Sequence, residues 1–243
     1  MKSLAFIVAA FVTRALAHGG VTSYVVDGTP YTGWQPYNSP TGQSTIERPY
    51  SSYDPILNVS ASTFSCNNNG ASGGGQKSAT IRAGANVTAK WSQWTHAQGP
   101  VMVYMAKCPG SCTSANSNDL SWFKIYERGL LSGNIANGAW GLGEVMKTLL
   151  VTSTIPAALA AGEYLIRHEL LALHQANTPQ FYPECAQLVV TGGGGKTPGD
   201  QYLIKFPGYP PLDRQSIYID IYCFGCGGII TYKVPGPPVW NGQ

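Results

Sequence analysis

Short segments rich in β-branched and aromatic residues recur along the chain, and clusters of glycine, proline and asparagine separate them. Several of these segments alternate apolar and polar side chains, as strands do when one face is buried. We expect strands over residues 21–26, 86–91, 101–106, 148–154, 164–173, 187–191 and 217–222. Residues 157–161 and 170–173 are compatible with brief helical turns, and no long amphipathic period is visible. The pattern predicts an all-β fold: an immunoglobulin-like or fibronectin-like antiparallel β-sandwich with long loops and short helical turns.

The N-terminus has the three parts of a secretory signal peptide: a basic start, a short apolar run and an Ala-x-Ala site. The apolar run is too short to span a bilayer as a helix, so no membrane anchor is expected. Cleavage would remove residues 1–17 and leave His18 as the first residue of a secreted, extracellular chain. Two N-x-[ST] sequons, at Asn58 and Asn86, are candidate glycosylation sites of such a chain.

The composition favours one domain that meets neutral ligands. Removal of residues 1–17 leaves 226 residues (243 − 17), a normal size for a single β-sandwich. No Ser/Thr-rich linker leads into a second module, so we expect one monomeric domain over residues 18–243 with no appended carbohydrate-binding module. Charged residues make up 11% of the chain, against roughly 25% in typical soluble domains. This balance suits neutral, ring-shaped ligands, and the lack of a clustered basic run argues against nucleic acid as a partner.

Six cysteines in an exported chain predict three disulfides, drawn from Cys66, Cys108, Cys112, Cys185, Cys223 and Cys226. The Pro-Gly-Ser turn between Cys108 and Cys112 can bring these two sulfurs together. The two cysteines of the Cys-Phe-Gly-Cys motif can pair in the same way, although a CxxC motif can also be redox-active or bind a metal. Cys66 and Cys185 are then left to each other, in a bridge that closes a very long loop.

Four histidines are available as metal ligands, and they are His18, His96, His168 and His174. Signal cleavage gives His18 two nitrogen donors, because its free α-amine and its ring can chelate one ion together. The α-amine has an ordinary pKa of about 8, so a bound cation readily displaces its proton. A second imidazole would complete a plane of three nitrogens of the tetragonal kind that Cu(II) prefers. His96 is the best second ligand because it lies in a loop just before the strand predicted at 101–106, and Tyr182 lies in a segment that a disulfide at Cys185 would hold.

An ordered set of short motifs covers the mature chain. They are His18-Gly19, Val26-Asp27-Gly28, Cys66-Asn67, His96 followed by Gly99-Pro100-Val101, Phe123-Lys124-Ile125, and residues 167–174, 180–188 and 234–238. With these motifs the chain resembles a fungal lytic polysaccharide monooxygenase of auxiliary activity family 9, formerly glycoside hydrolase family 61. Each motif is weak alone, and the ordered set is highly specific.

The resemblance implies a copper centre with one ion per chain. His18 and His96 would form a histidine brace around the ion, and the Tyr182 hydroxyl would take the axial position. His174 and Gln180 would hydrogen-bond the oxygen co-substrate, as groups around a metal commonly do. The implied reaction uses an external electron donor and O2 or H2O2 to oxidise C1 or C4 of a β-1,4-glucan. The expected partners are therefore a cellulose-like polysaccharide surface and an external reductant.

The resemblance also bears on the remaining cysteines and histidine. Family members bond the cysteines that correspond to Cys66 and Cys185, and likewise those that correspond to Cys108 and Cys112. Both pairs agree with the spacing in this chain. His168 matches a family position too, and we interpret it as structural.

Two stretches depart from the family pattern. The segment 175–179 is short, and its proline stiffens the approach to the predicted site. Cys223 and Cys226 form an extra local feature, for which a structural disulfide is the favoured interpretation. They follow Tyr222, which the resemblance assigns to a flat substrate-binding face. Tyr37 is a second candidate for stacking against sugar rings on that face.

Other functions are weighed against this one. A conventional glycoside hydrolase needs two carboxylates that flank the bond, and the 12 acidic residues form no obvious pair of that kind. Glu169 lies in a strand-like run and is interpreted as structural. A non-lytic copper-binding protein of similar fold would keep His18 and His96 but lack the pair His174 and Gln180. A non-catalytic carbohydrate-binding sandwich would need aromatic residues but no histidine at the cleaved terminus.

Overall fold

The computed structural model describes residues 18–67 and 70–243, so the predicted signal peptide lies outside the described residues. The described chain has twelve strands, two α-helices and five short 3-10 helices. The strands are β1 (Val21–Val26), β2 (Thr29–Thr32), β3 (Ala79–Arg82), β4 (Asn86–Trp91), β5 (Val101–Lys107), β6 (Ser121–Arg128), β7 (Leu130–Ser132), β8 (Ala139–Trp140), β9 (Leu150–Thr154), β10 (Gly162–Ala172), β11 (Gln180–Thr191) and β12 (Leu203–Lys205). The helices are α1 (Gly141–Thr148), α2 (Arg214–Ile217) and the 3-10 helices Cys112–Ser114, Ser117–Asp119, Asp200–Tyr202, Pro211–Asp213 and Cys226–Gly228.

Two larger sheets make up the sandwich. One has the strand order β2-β1-β4-β9 and the other has the order β12-β6-β5-β10-β11-β3, while β7 and β8 form a separate hairpin. Neighbouring strands of the two larger sheets run antiparallel, except that β11 and β3 run parallel. The predicted all-β sandwich is therefore confirmed, with one parallel pair at a sheet edge that alternation along a strand cannot reveal.

Apolar residues from both sheets form the main core. Tyr24 on β1 and Trp91 on β4 lie in one buried cluster with Ile166 on β10 and Leu188 on β11. The alternate residues of β10, such as Leu165, belong to a second buried cluster on the other face of the larger sheet, which the chain after β12 covers. Because β10 is covered on both faces, nine of its residues in a row are buried. This double burial explains why the long strands lack simple alternation.

Three of the predicted elements are wrong. Residues 217–222 do not form a strand: Ile217 ends α2 and a turn follows. Ile217 and Ile221 are both buried, and in so short a stretch their spacing of four residues resembles the alternating pattern of a strand. Residues 157–161 form a turn rather than a helical segment. Residues 170–173 do not form a helical turn either, since β10 continues through Ala172 in register with β11.

The sequence pattern also missed a helix. Helix α1 occupies eight residues, and Thr148, expected to begin a strand, is its last residue. The helix contains two glycines and is only two turns long, so its amphipathic signal is weak. It ends where Leu149 adopts a left-handed conformation (φ 59°) and donates its N–H to the Val145 carbonyl oxygen at 2.7 Å. No helix in the described residues is long and apolar enough to cross a bilayer.

Three disulfides cross-link the described chain. They join Cys66 to Cys185, Cys108 to Cys112, and Cys223 to Cys226. These are the pairings that the spacing and the resemblance predicted. The long-range bridge joins the loop that precedes β3 to the middle of β11. β3 is the edge strand of the larger sheet and pairs with β11.

Candidate metal centre

Strand register brings three of the predicted site residues to one end of the larger sheet. β5 and β10 are antiparallel neighbours in which Val101 lies opposite Leu170. His96 precedes the start of β5 and His174 follows the end of β10, so both lie at this end. β11 pairs with β10 on its other side and sets Tyr182 opposite Leu170. The register of three strands therefore gathers side chains that are far apart in the sequence.

His18 reaches the same end from the smaller sheet. It precedes β1, whose first residue Val21 lies opposite Trp91 at the end of β4. The Gln93 side-chain amide donates to the carbonyl oxygen of His18 at 2.6 Å. Gly19 makes this close approach possible, because a Cβ atom there would overlap the Gln93 carbonyl oxygen. A glycine directly after His18 is thus a geometric requirement of the candidate site.

The predicted site residues form a cluster that is linked by ring contacts and one hydrogen bond. The His18 ring centroid is 5.8 Å from that of His96 and 5.8 Å from that of Tyr182. The His96 and His174 rings stack, with centroids 3.9 Å apart and an interplanar angle of 6°. The Tyr182 hydroxyl donates to Gln180 Oε1 at 3.0 Å. The structure therefore brings together all five residues that the sequence assigned to the metal and its surroundings.

Trp94 packs against this cluster, and it was not among the predicted site residues. Its indole N–H donates to the His96 carbonyl oxygen at 2.6 Å. Its ring meets His96 edge to face at 5.3 Å and Tyr182 at 4.8 Å. Trp94 is only 4% exposed, so two candidate ligands pack against a buried ring. The position of Trp94, two residues before His96, is the sequence feature that could have indicated this role.

Burial lowers the pKa values of two of the clustered imidazoles, those of His96 and His174. Burial, followed by the charges of His174 and His18, lowers the pKa of His96 to about 4. Burial and then His18 also lower the pKa of His174. His96 Nε2 and His174 Nδ1 are buried and have no hydrogen-bond partner among the described residues. Burial, and next the charge of Asp54, raises the pKa of the Tyr182 phenol. At neutral pH the His96 ring therefore offers a nitrogen lone pair rather than a positive charge.

The chemistry of these donors fits a copper ion. Among the described residues, no three histidine, cysteine, aspartate or glutamate side chains converge as a metal-binding group. The site instead has two imidazoles and a phenol, to which signal cleavage would add the α-amine of His18. Imidazole suits copper, and nitrogen donors in a plane suit Cu(II) in particular. The unpartnered, neutral His96 nitrogen is what such a ligand requires before the metal binds.

Asp54 is a second residue that the sequence analysis missed. Its Oδ1 atom lies 3.8 Å from His18 Nδ1, and its side chain is 79% exposed. It lies in a loop that continues to Ile56. Ile56 forms an isolated β-bridge with Phe181, at the start of β11. Nothing in the local sequence links Asp54 to His18, because the two meet only through the fold.

Tyr37 and Tyr222 are exposed, and hydrogen bonds link their parts of the chain to segments that carry site residues. Tyr37 is 68% exposed, and its hydroxyl accepts the N–H of Tyr53, the residue before Asp54. The Asn177 N–H donates to the Ile219 carbonyl oxygen at 3.1 Å, which joins the loop after His174 to the segment that precedes Tyr222. Both predicted substrate tyrosines are therefore exposed, in segments connected to the loops of the site.

Phe224, close to Tyr222, is fully exposed and was not singled out from the sequence. The loop that carries it is anchored at both ends, because Ile221 and Cys226 are buried in the second core cluster. Cys223 is exposed, and its disulfide to Cys226 closes the loop around Phe224. An aromatic ring held out by a closed loop is a feature of contact surfaces rather than of cores.

Residues 167–169 lie away from the cluster. His168 is fully buried, and Tyr24 lies beside it at a ring distance of 5.8 Å. Arg167 and Glu169 form a buried ion pair, and the Tyr209 hydroxyl donates to Glu169 at 2.7 Å. A carboxylate so fully engaged cannot act as a hydrolytic acid, which agrees with the structural interpretation.

Both sequon asparagines are at the surface. Asn58 Oδ1 accepts the N–H of Ser60, and Asn86 Oδ1 accepts the Thr154 hydroxyl. Both side chains belong to exposed residues, so a glycan at either would point into solvent.

The fold and the donor set define a class of protein: a β-sandwich with a nitrogen-rich candidate metal site at one end. The chain matches the family model of Auxiliary Activity family 9 (formerly GH61) over residues 18–225. The chain therefore belongs to auxiliary activity family 9, and its activity class is that of the lytic polysaccharide monooxygenases.

Individual relatives agree with this assignment. The chain is 53% identical over 231 residues to AA9 family lytic polysaccharide monooxygenase B of Heterobasidion irregulare, with 94% of each chain covered. It is 46% identical over 234 residues to AA9 family lytic polysaccharide monooxygenase-like protein CEL1 of Agaricus bisporus, covering 95% of this chain and 73% of the relative. The crystal structure of HiLPMO9B matches with a TM-score of 0.88 at 53% identity, covering 93% of this chain and 100% of the other. That of a cellulose-active polysaccharide monooxygenase from M. thermophila matches with a TM-score of 0.84 at 39% identity, covering 93% and 100%.

Proposed function

We propose that the mature protein, residues 18–243, is a secreted, monomeric, single-domain copper enzyme. It cleaves β-1,4-glucan chains of cellulose or a related hemicellulose by oxidation at C1, C4 or both. The observation that carries the proposal is the convergence of His18, His96 and Tyr182 at one end of the sandwich. The cellulose activity of the structurally similar monooxygenase from M. thermophila supports the substrate class.

Each proposed ligand is held before any ion arrives. His18 is fixed through its carbonyl by Gln93, and His96 is fixed through its carbonyl by Trp94. Burial keeps the His96 ring neutral, so metal binding need not compete with a proton on that ring at neutral pH. The Tyr182 hydroxyl is directed by its hydrogen bond to Gln180. This preorganisation lowers the ordering cost of binding the ion.

Copper, when bound, supplies the one-electron chemistry with which a reductant and O2 or H2O2 hydroxylate a sugar carbon and so break the glycosidic bond. The chain's own residues orient the oxygen co-substrate. The half-buried His174 ring stacks on His96, and its Nδ1 atom has no partner among the described residues. Gln180 is 6% exposed and lies against Tyr182, so it can hydrogen-bond a molecule at the same place.

Neutral sugar rings fit the surroundings of this cluster. Tyr37 and Tyr222 are exposed, and aromatic faces of this kind stack on the apolar faces of sugars. The Tyr37 hydroxyl is tied to the Tyr53 backbone, which leaves the ring with little freedom to lose on binding. The low charged fraction of the chain agrees with an uncharged polymer as substrate.

The test compares protein that begins at His18 with the same protein carrying one glycine in front of it, and with His96→Ala. Copper binding is measured by calorimetry and by Cu(II) EPR. The His18 protein is expected to bind one Cu(II) with an axial spectrum, and both comparison proteins to bind it at least about a hundredfold more weakly. If the three proteins bind copper equally well, the proposed ligand set is wrong.

Activity is tested on a panel of β-glucans with ascorbate and oxygen, and the products are analysed by mass spectrometry. Oxidised oligosaccharides are expected from the copper-loaded His18 protein alone. Tyr222→Ala and Tyr37→Ala are expected to weaken binding to the polysaccharide while leaving the EPR spectrum unchanged. Tight copper binding without oxidised products from any β-glucan would show that the substrate assignment is wrong.

A further inference from the structure

Asp54 stands beside the proposed copper ligands without belonging to them. Its Oδ1 atom lies 3.8 Å from His18 Nδ1, and the His18 side chain is 32% exposed. The charge of Asp54 also acts on Tyr182, another of the proposed ligands. One carboxylate therefore lies close to one proposed ligand and acts electrostatically on a second.

The orientation of Asp54 is built into its loop. The Ser52 hydroxyl donates to Asp54 Oδ2 at 2.9 Å, and the Asp54 N–H donates to Ser52 Oγ at 3.1 Å. Just beyond, Ile56 and Phe181 exchange two backbone hydrogen bonds of 2.8 and 3.1 Å. These bonds fasten the loop to the residue immediately before Tyr182. The carboxylate is therefore held near the cluster by the backbone, although its side chain is mostly in water.

The charge of the site gives this arrangement a consequence. The proposed donors are imidazole nitrogens, an amine and a phenol, none of which is a carboxylate or thiolate, so the ligand set supplies no negative charge to offset that of a cation. A nearby carboxylate attracts a doubly charged ion about twice as strongly as a singly charged one. Water around Asp54 reduces both attractions but leaves their ratio unchanged.

Building on the proposed function, we propose that Asp54 is a charge-compensating residue of the copper site. Its carboxylate, held 3.8 Å from His18, stabilises Cu(II) more than Cu(I) and so lowers the reduction potential of the bound ion. Its role is electrostatic and operates without contact between Asp54 and the reacting sugar.

The test uses Asp54→Asn, which keeps the shape of the side chain and an oxygen for the Ser52 hydroxyl but removes the charge. Asp54→Glu keeps the charge. Asp200→Asn is the matched control, because Asp200 is also exposed. Its neighbours in sequence, Pro198 and Leu203, line a cavity together with Lys107. Lys107 ends β5, whereas His96 precedes the start of that strand. Affinities for Cu(II) and Cu(I), the reduction potential and the Cu(II) EPR spectrum are measured for each protein at low and high salt.

Asp54→Asn is expected to weaken Cu(II) binding about three- to tenfold and Cu(I) binding about two- to threefold. The reduction potential then rises by about 20–30 mV, at ~59 mV per tenfold change in the ratio of the two affinities. The differences should shrink at high salt, because salt screens exposed charges. Asp54→Glu and Asp200→Asn should match the wild type in potential.

An unchanged potential in Asp54→Asn overturns the inference, and so does an equal shift in Asp200→Asn, which would mark an effect of net charge alone. In either case a wild type that binds Cu(II) tightly leaves the proposed function standing. A wild type that binds no copper overturns the proposed function and this inference together. Thermal unfolding of each variant shows whether the fold is intact, and residue 54 is exposed enough to tolerate both substitutions.

Discussion

His174 stacks on His96 with ring centroids 3.9 Å apart and planes only 6° from parallel. The contact joins the loop before β5 to the loop after β10 at the point where the chain presents its candidate metal ligand. Two backbone hydrogen bonds also join these segments: the N–H of Leu171 donates to the Pro100 carbonyl oxygen, and the N–H of Leu173 donates to that of Gln98. His174 can therefore act in two ways, by holding the His96 ring in place and by hydrogen-bonding a co-substrate.

Two substitutions of His174 separate these roles. His174→Phe keeps an aromatic ring for stacking and removes both nitrogens, while His174→Ala removes the ring as well. We expect both variants to lose about 10- to 1,000-fold in the rate of oxidised product formation, the range for loss of a positioned hydrogen-bonding group. The Cu(II) EPR spectrum should stay unchanged in His174→Phe and broaden in His174→Ala. Near wild-type turnover in His174→Phe would contradict a hydrogen-bonding role.

The bond from the Tyr182 hydroxyl to Gln180 predicts a measurable coupling between these residues. Both side chains are buried, so Gln180→Leu leaves the hydroxyl without its observed acceptor, and Tyr182→Phe removes the donor. We expect the double variant to be more stable than the sum of the single changes implies, with a coupling of about 0.5–1.5 kcal/mol. Urea denaturation of the four proteins measures it. Strictly additive effects would mean that the bond does not contribute to stability.

The disulfides predict two very different losses of stability. The Cys66–Cys185 bridge spans a sequence separation of 119, whereas Cys223–Cys226 spans 3. In the chain-entropy model, removing the long bridge costs about 5 kcal/mol and removing the short one less than about 2 kcal/mol. Replacing each pair by alanines and measuring thermal and urea unfolding tests this order. Equal losses would show that the bridges act mainly through native contacts rather than through the unfolded chain.

Local patterns predicted much of this fold because they carry physical information about burial. The strands over Val21–Val26 and Asn86–Trp91 coincide with the predicted segments, since β4 alternates between buried and more exposed residues and β1 does so over its last three residues. The start of β11 was missed because Gln180 to Ala186 are buried on both faces and include a proline. Helix α1 was missed because its glycines weaken the helical pattern.

The site shows a similar division. His18, His96 and Tyr182 were predicted from ligand chemistry and from ordered motifs, and the structure brings them together. Asp54 could not be predicted, because its approach to His18 depends on a loop that is fastened to β11 by long-range hydrogen bonds. Trp94 was visible in the sequence, but only the fold shows that its ring packs under both His96 and Tyr182.

His168 predicts how stability depends on pH. Burial lowers its pKa to about 3, and neither ring nitrogen has a hydrogen-bond partner among the described residues. In the unfolded chain the ring titrates near its ordinary pKa of about 6.5. Between these two values the unfolded state binds a proton that the folded state does not. The contribution of His168 to the free energy of unfolding therefore falls as the pH drops from about 6 toward 3, by up to about 1.4 kcal/mol per pH unit, and is constant above pH 7.

The measurement compares the wild type with His168→Leu by urea denaturation from pH 4 to pH 8. The comparison is needed because Glu47 and Glu184 are buried too, and burial raises their pKa values, which tilts the wild-type curve the opposite way. We expect the stability of the wild type relative to His168→Leu to decline steadily below pH 6. Val103→Ala is the matched control, since Val103 lies opposite His168 on β5 and does not titrate, so its difference from the wild type should not vary with pH. A difference between wild type and His168→Leu that is equally flat would mean that His168 finds a proton-sharing partner in the folded protein.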